Sequence, residues 1–408
     1  PLQGPGAPGP SRRPAGARSL AESPRRRNRR RPAPDPRAPR SGLWGEPLPF
    51  PLPALRGCSY NPAPPAPFRA LNETRPSPAP SQKDTPAISP QDTDTGPTGA
   101  PEAPKAPVPP QPKQAFELTM DDGAVIRVRQ HGNAKGPRVV MSHGNGFAMD
   151  GYYPMWRLLE ERYEVVLFDL RSHGHNPFHG PHGHSISAFV DDIDRVLDEL
   201  PKRWGQKTTI GAFHSVSAVS NLDLAVTRGW RWDALVVFDP PLAPGDGHPF
   251  QAAALDGEER LASWALRRPD RFQGPEELAD MLSGAKTHYR WVPGAHLGMA
   301  RAVLRPDEAA DDWMLRCPRR MESAIYACNM DTTVWPRLGE IPGPLKFVGA
   351  DPEPDDHLWP SVANRAIGEA FDHAYECIPD TNHLLQVEHP DLCFAAMESF
   401  LAENGINA

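Results

Sequence analysis

Two serines stand where a strand gives way to a helix. Residues 211–219 read Gly211-Ala212-Phe213-His214-Ser215-Val216-Ser217-Ala218-Val219. A serine on a tight strand-to-helix turn presents its hydroxyl at the edge of a sheet, where it can attack a carbonyl. The usual form of that turn carries glycine two residues to either side, because the turn is crowded there. Here Phe213 and Ser217 hold those places. Ser217 is the rival nucleophile, but the β-branched Val219 then occupies its crowded flank, so Ser215 is preferred. A serine at such a turn also serves as a plain helix cap.

A nucleophilic serine needs a base, and the base needs an orienting acid. His383 follows the last apolar run, in Ile378-Pro379-Asp380-Thr381-Asn382-His383. The acid is expected after an earlier strand. Asp351 ends the run Leu345-Lys346-Phe347-Val348-Gly349-Ala350-Asp351 and is the expected choice, with Asp355, Asp356 and Asp239 as alternatives. Any of the four also suits a turn or a cap. Donors for a developing oxyanion are expected from the Asn145 and Val216 amides. The first lies in Ser142-His143-Gly144-Asn145-Gly146-Phe147, whose glycines allow close backbone approach.

Positioning these groups requires strands that end at one edge. Phe116–Met120 and Ala124–Arg129 alternate around Asp121-Asp122-Gly123, a hairpin signal. Arg138–Ser142, Tyr163–Leu170, Thr208–Phe213, Ala234–Asp239, Leu345–Gly349 and Tyr375–Ile378 read as further strands, several of them apolar enough to be buried on both faces. Between them, Ser187–Leu200 places Phe189, Val190, Ile193, Val196, Leu197 and Leu200 at helical spacing. Asp391–Glu403 is the closing helix. The alternation implies a mostly parallel sheet with helices on both faces. It stops between Pro244 and Pro336, where about 90 helical residues are read either as a second subdomain with its own core or as a lid over the strand ends.

With Ser215, Asp351 and His383 in that order, each after a strand, residues 114–408 resemble the α/β-hydrolase superfamily. The resemblance rests also on His143-Gly144-Asn145-Gly146-Phe147 and Asp169-Leu170-Arg171-Ser172-His173-Gly174-His175. It implies the α/β-hydrolase fold, an eight-stranded sheet with a helical cap at about 244–336, a Ser-His-Asp triad, and an oxyanion hole from the Asn145 and Val216 amides. Phe213 and Ser217 depart from the elbow glycines, and Asp351 comes two residues after Gly349 where three is commoner. The expected reaction is hydrolysis of a carboxylic ester of a small to medium apolar acyl or aryl group through an acyl-enzyme, with no cofactor. Hydrolysis of a carbon–carbon bond in a diketone is the alternative chemistry, and a non-catalytic binding module the alternative class. Five histidines at 173, 175, 179, 182 and 184 are read as a polar loop and not as a metal site, since no Glu or Cys lies among them.

Composition sets the frame. The chain has 408 residues and 52 prolines, 30 of them in residues 1–113. No apolar period persists there, so a disordered Pro/Arg-rich tail is expected. The first methionine, Met120, falls inside the first strand, which suggests an over-extended reading frame. A tail that docks a partner is the other reading. Residues 1–40 carry 11 Arg against Glu22 and Asp35, a net +9, which leaves −16 on the remainder of a chain whose total is −7. An acidic body argues against nucleic acid as a partner. No run approaches the roughly 20 apolar residues of a membrane span. Five scattered cysteines suggest neither a disulfide framework nor a zinc ribbon, and fit a cytoplasmic location.

Overall fold

The computed structural model describes residues 108–329 and 331–408. The expected tail falls almost wholly outside them. In chain order the first strands are β1 (Gln114–Thr119), β2 (Val125–Gly132), β3 (Arg138–Ser142), β4 (Glu164–Phe168), β5 (Thr209–His214) and β6 (Ala234–Phe238). Among them lie the one-turn α1 (Tyr153–Trp156), α2 (Ile186–Trp204) and α3 (Val216–Arg228). A long insertion follows, with α4 (Gln251–Arg267), β7 (Arg271–Phe272), α5 (Pro275–Ser283), α6 (Ala295–Val303), β8 (Leu304–Asp307), β9 (Asp312–Leu315) and α7 (Arg319–Cys328). The chain ends with β10 (Leu345–Gly349), α8 (Trp359–Ala370), β11 (Ala374–Cys377), α9 (Leu385–Glu388) and α10 (Pro390–Glu403).

Eight strands form one sheet in the order β1-β2-β4-β3-β5-β6-β10-β11. The hairpin β1–β2 and its junction with β4 are antiparallel, and every later pairing is parallel. Every residue of β3, β4, β6 and β10 is buried, which is why these strands read as unbroken apolar runs. Successive side chains supply opposite faces. Val139, Met141, Val165, Leu167, Ala234 and Val236 face a core completed by α1 and α10, whereas Val140, Val166, Phe213, Leu235 and Val237 face one completed by α2, α3 and α8.

The insertion does not keep a core to itself. Leu278, Leu282, Met299, Ala300 and Val303 join the first of these cores. It also contains a three-stranded sheet, β7-β9-β8, that the helical reading of this stretch missed. Its strands are two to four residues long and carry Arg271, Arg305, Asp307 and Asp312, so no apolar alternation marks them. Among the described residues no helix is long and apolar enough to cross a membrane.

Candidate active site

The parallel strands bring three chain ends to one edge. Ser215 follows β5 directly and precedes the first residue of α3, with φ 55° and ψ −124°. This left-handed backbone is uncommon outside glycine. It is held by neighbours: the Ser215 amide donates to the Phe238 carbonyl (3.0 Å), and the Val219 amide donates to the Ser215 carbonyl (3.0 Å). The turn tolerates Phe213 because that side chain leaves the site altogether. It points into the opposite core, against Phe168 and Trp232. The space it needs comes from Gly211, where a Cβ would lie 2.6 Å from Leu235 and 2.9 Å from the Phe213 ring.

Ser217 is fully buried and spends its hydroxyl on the elbow itself. It donates to the His214 carbonyl (2.8 Å) and accepts from the His214 amide (3.2 Å). Ser215 instead lines a cavity of about 390 Å³, with His383 beside it. Ser215 Oγ lies 2.9 Å from His383 Nε2, and His383 Nδ1 lies 2.7 Å from Asp239 Oδ2.

The acid that meets His383 is therefore Asp239 and not Asp351. Asp239 comes immediately after β6, the neighbour of the β5 strand that carries Ser215. Its carboxylate is completely buried, and Oδ1 accepts from the Ala350 amide and the Asn364 side chain (3.1 Å each). Asp351 lies one strand farther out, after β10. Its two oxygens accept from the Glu353 and Asp380 amides (3.0 and 2.9 Å) and tie down the loop that leads to His383. Asp356 grips the Arg290 guanidinium through both oxygens (2.9 and 3.0 Å). Asp355 makes no side-chain hydrogen bond among the described residues. All four aspartates follow strands at the same edge, so their spacing alone does not separate them.

The loop after β3 runs against the elbow. A Cβ on Gly144 would meet His214 Nδ1 at 2.9 Å and Ser215 Cβ at 3.0 Å. The Asn145 side chain is committed elsewhere, its Nδ2 donating to the Glu322 carbonyl (2.8 Å). The Asn145 backbone amide has no protein acceptor among the described residues. The Val216 amide stands at the first position of α3, where a helix supplies no acceptor of its own. The Val216 amide follows Ser215 directly, the Asn145 amide belongs to the loop whose Gly144 packs against Ser215, and the positive end of α3 adds to the field there.

Three buried histidines brace this loop and the elbow. His143 Nδ1 donates to the Gly144 carbonyl and Nε2 accepts from the Leu170 amide (2.8 and 3.0 Å). His173 Nδ1 donates to the Arg171 carbonyl and Nε2 accepts from the Gly146 amide (2.9 and 3.2 Å). His214 Nε2 donates to the His383 carbonyl, and Nδ1 accepts from the Tyr152 hydroxyl (2.8 Å each). That hydroxyl in turn accepts from the Gly144 amide (3.2 Å). Burial pushes the basicity of all three rings down, so each is neutral with one donor and one acceptor nitrogen. The sequence reading gave His214 no role. Its place next to Ser215 is the only signal it carries there.

The five histidines at 173–184 do different things. His173 braces the loop, His175 Nε2 pairs with Asp150 (2.8 Å), and His184 stacks on His173. Among the described residues no three His, Cys, Asp or Glu side chains are grouped to hold a metal ion.

Glu258, Arg268, Glu322 and Tyr326, from the insertion, also line the cavity together with Phe147, Leu261, Trp264 and Leu384. The ionisable ones were not singled out from sequence, since charged residues on amphipathic helices are ordinarily solvated.

The sequence model of the alpha/beta hydrolase family matches residues 139–396. A putative carbamate hydrolase, RutD, of Agrobacterium fabrum is 23% identical over 278 residues, 66% of this chain and 94% of that protein. A probable oxidoreductase, EphD, of Mycobacterium tuberculosis is 37% identical over 83 residues. The match spans 19% of this chain and only 14% of the length of that relative. Among solved structures, E-2-(acetamidomethylene)succinate hydrolase superposes with TM-score 0.57 at 18% identity, over 71% of this chain and all of that one. A thermophilic esterase from Thermogutta terrifontis superposes with TM-score 0.53 at 16% identity, over 71% and 99%.

Proposed function

The chain belongs to the alpha/beta hydrolase family, and on that premise we propose that it is a serine hydrolase cleaving carboxylic esters at Ser215. The observation that carries this reading is the line of contacts from Ser215 Oγ through His383 to Asp239, at 2.9 and 2.7 Å. His383 takes the Ser215 proton as the hydroxyl attacks the ester carbonyl. Asp239 holds the ring so that Nε2 faces the serine, and it stabilises the imidazolium that forms. The Asn145 and Val216 backbone amides receive the oxyanion. His383 then protonates the departing alcohol, and water, deprotonated by the same ring, releases the acid.

A cavity of about 390 Å³, walled partly by Phe147, Leu261, Trp264 and Leu384, suits an acyl or aryl group of modest size. The insertion between β6 and β10 acts as its cap, contributing Leu261, Trp264, Leu282 and His288 to the wall. The departures at Phe213 and Ser217 motivated a binding-module alternative. That motive weakens, because Phe213 is accommodated by Gly211 and Ser217 stiffens the elbow.

The test is fluorophosphonate labelling of the full chain, with the modified peptide located by mass spectrometry. Label on Ser215, absent in Ser215→Ala, is expected. A folded protein that takes no label, or takes it on Ser217, would overturn the assignment.

A further inference from the structure

An esterase pocket for a purely apolar acyl chain has no use for buried ions, which are costly to desolvate. Of the ionisable side chains that line this cavity almost fully enclosed, His288 lies between α5 and α6, and three others belong to α4, the residue just beyond it and α7. Glu258 and Glu322 are each 2% exposed and Arg268 is 8% exposed. Arg268 Nη2 donates to Glu322 Oε2, which pairs two of the charges. Two polar atoms of the α4–α7 wall are left over, and His288 Nδ1, elsewhere in the lining, is a third without a partner. Glu258 Oε1 accepts from Trp359 Nε1 (3.2 Å), but Glu258 Oε2 has no partner, and neither has Arg268 Nε. A buried polar group without a partner is expensive, and such groups cluster where a ligand completes them.

We propose that this wall, built by α4, the residue just beyond it and α7, is a recognition subsite for an uncharged carbonyl acceptor carried by the substrate apart from the ester that is cut. The proposal rests on the ester-hydrolase reading of Ser215 and names the substrate class that reading leaves open.

The chemistry of the leftover atoms sets the complement. Arg268 Nε–H only donates. No cation is paired with Glu258, and burial lifts its carboxyl to about 8 against the opposing pull of the nearby Asn329 and Trp359 side chains, so it keeps its proton at neutrality. With Oε1 accepting the indole N–H, the partnerless Oε2 is the oxygen left to carry that proton and to act as a second donor. The Tyr326 hydroxyl, in the same wall, is a third. Three donors call for an oxygen acceptor. Charge decides which kind. Arg268 and Glu322 cancel and Glu258 is neutral, so the wall has nothing left to balance an ion. A carboxylate would lie beside Glu322, and an ammonium would lie beside the Arg268 guanidinium. The carbonyl oxygen of an amide, ketone or second ester fits without either conflict.

The experiment uses 4-nitrophenyl esters of one acyl length whose far end is a methyl, a primary carboxamide, a carboxylate or an ammonium group. The full chain is expected to favour the carboxamide over the methyl ester by about tenfold or more in kcat/KM, with both charged esters below the carboxamide. Glu258→Gln, which keeps an N–H donor, should retain most of that preference, and Glu258→Met should lose it. Fluorophosphonate labelling of Ser215 runs in parallel on each protein. Labelling with ester turnover but no carboxamide preference would overturn the subsite alone. Preference for the carboxylate or ammonium ester would also overturn it. Absence of both labelling and turnover would overturn the ester-hydrolase reading, and the subsite with it. Should Glu258→Met fail to fold, the wild-type ester series decides by itself.

Discussion

At the residue scale, Asp239, the proposed acid, is fixed in place by its neighbours. Its carboxylate accepts from Ala350, Asn364 and His383 in a site closed to water. Neutralising it leaves His383 free to adopt the wrong tautomer, a change that costs about 10⁴ in kcat in a triad. Asp239→Asn is therefore expected to lower ester turnover by about that factor. Asp351→Asn, which only loosens a loop, should stay within about tenfold of wild type. The reverse ranking in steady-state kinetics would return the acid to Asp351. Ser217→Ala addresses the rival serine. It removes two hydrogen bonds to the His214 backbone and leaves buried groups unpaired, so it should cost about 1–3 kcal/mol in chemical denaturation. Ser215 should still label in that variant.

At the element scale, the machinery is a set of loops stapled together at the strand ends. His214 ties three of them: through Tyr152 to the Gly144 loop, through its own backbone to the elbow, and directly to the His383 carbonyl. His214→Phe keeps a similar ring volume but loses both nitrogen contacts. A drop of about 10- to 100-fold in kcat, with KM little changed, is the expected outcome, because near-attack geometry suffers and substrate contacts do not. An unchanged kcat would mean that the His383 loop needs no such tie.

At the scale of the whole molecule, buried titratable groups link stability to pH in two opposite ways. Burial lowers His131 and His184 to about 4 and His288 to about 3, from an ordinary value of 6.5. A ring with a depressed folded pKa contributes stability above 6.5 and loses it as pH falls through the folded value. Melting temperature should therefore decline between pH 6.5 and 4, and His184→Gln should flatten part of that decline. Burial raises Glu258 to about 8 and Glu388 to about 7. Their contribution is complete below 4.5 and disappears as pH rises to 7–8. Glu258→Gln should melt with less sensitivity than wild type between pH 4.5 and 8. Parallel profiles for wild type and variant would mean that this carboxyl titrates normally.

The sheet was legible from the chain because strands buried on both faces are apolar throughout and the first two alternate as a hairpin, and all eight runs read as strands appear in it. Ser215 and His383 were picked out because each follows a run read as a strand, and the structure brings the two side chains together at 2.9 Å. The short strands of the insertion were not, since two to four residues with charged side chains carry no period. Neither was the acid. Asp239, Asp351, Asp355 and Asp356 all lie just beyond strand ends, and only the lateral order of β5, β6 and β10 selects the one His383 can reach. The polar wall of the cavity was hidden for a related reason. Glu258, Glu322 and Arg268 belong to the insertion, and from sequence such residues look solvated. Packing that insertion over the strand ends takes the water away, and water is what makes a charged side chain unremarkable.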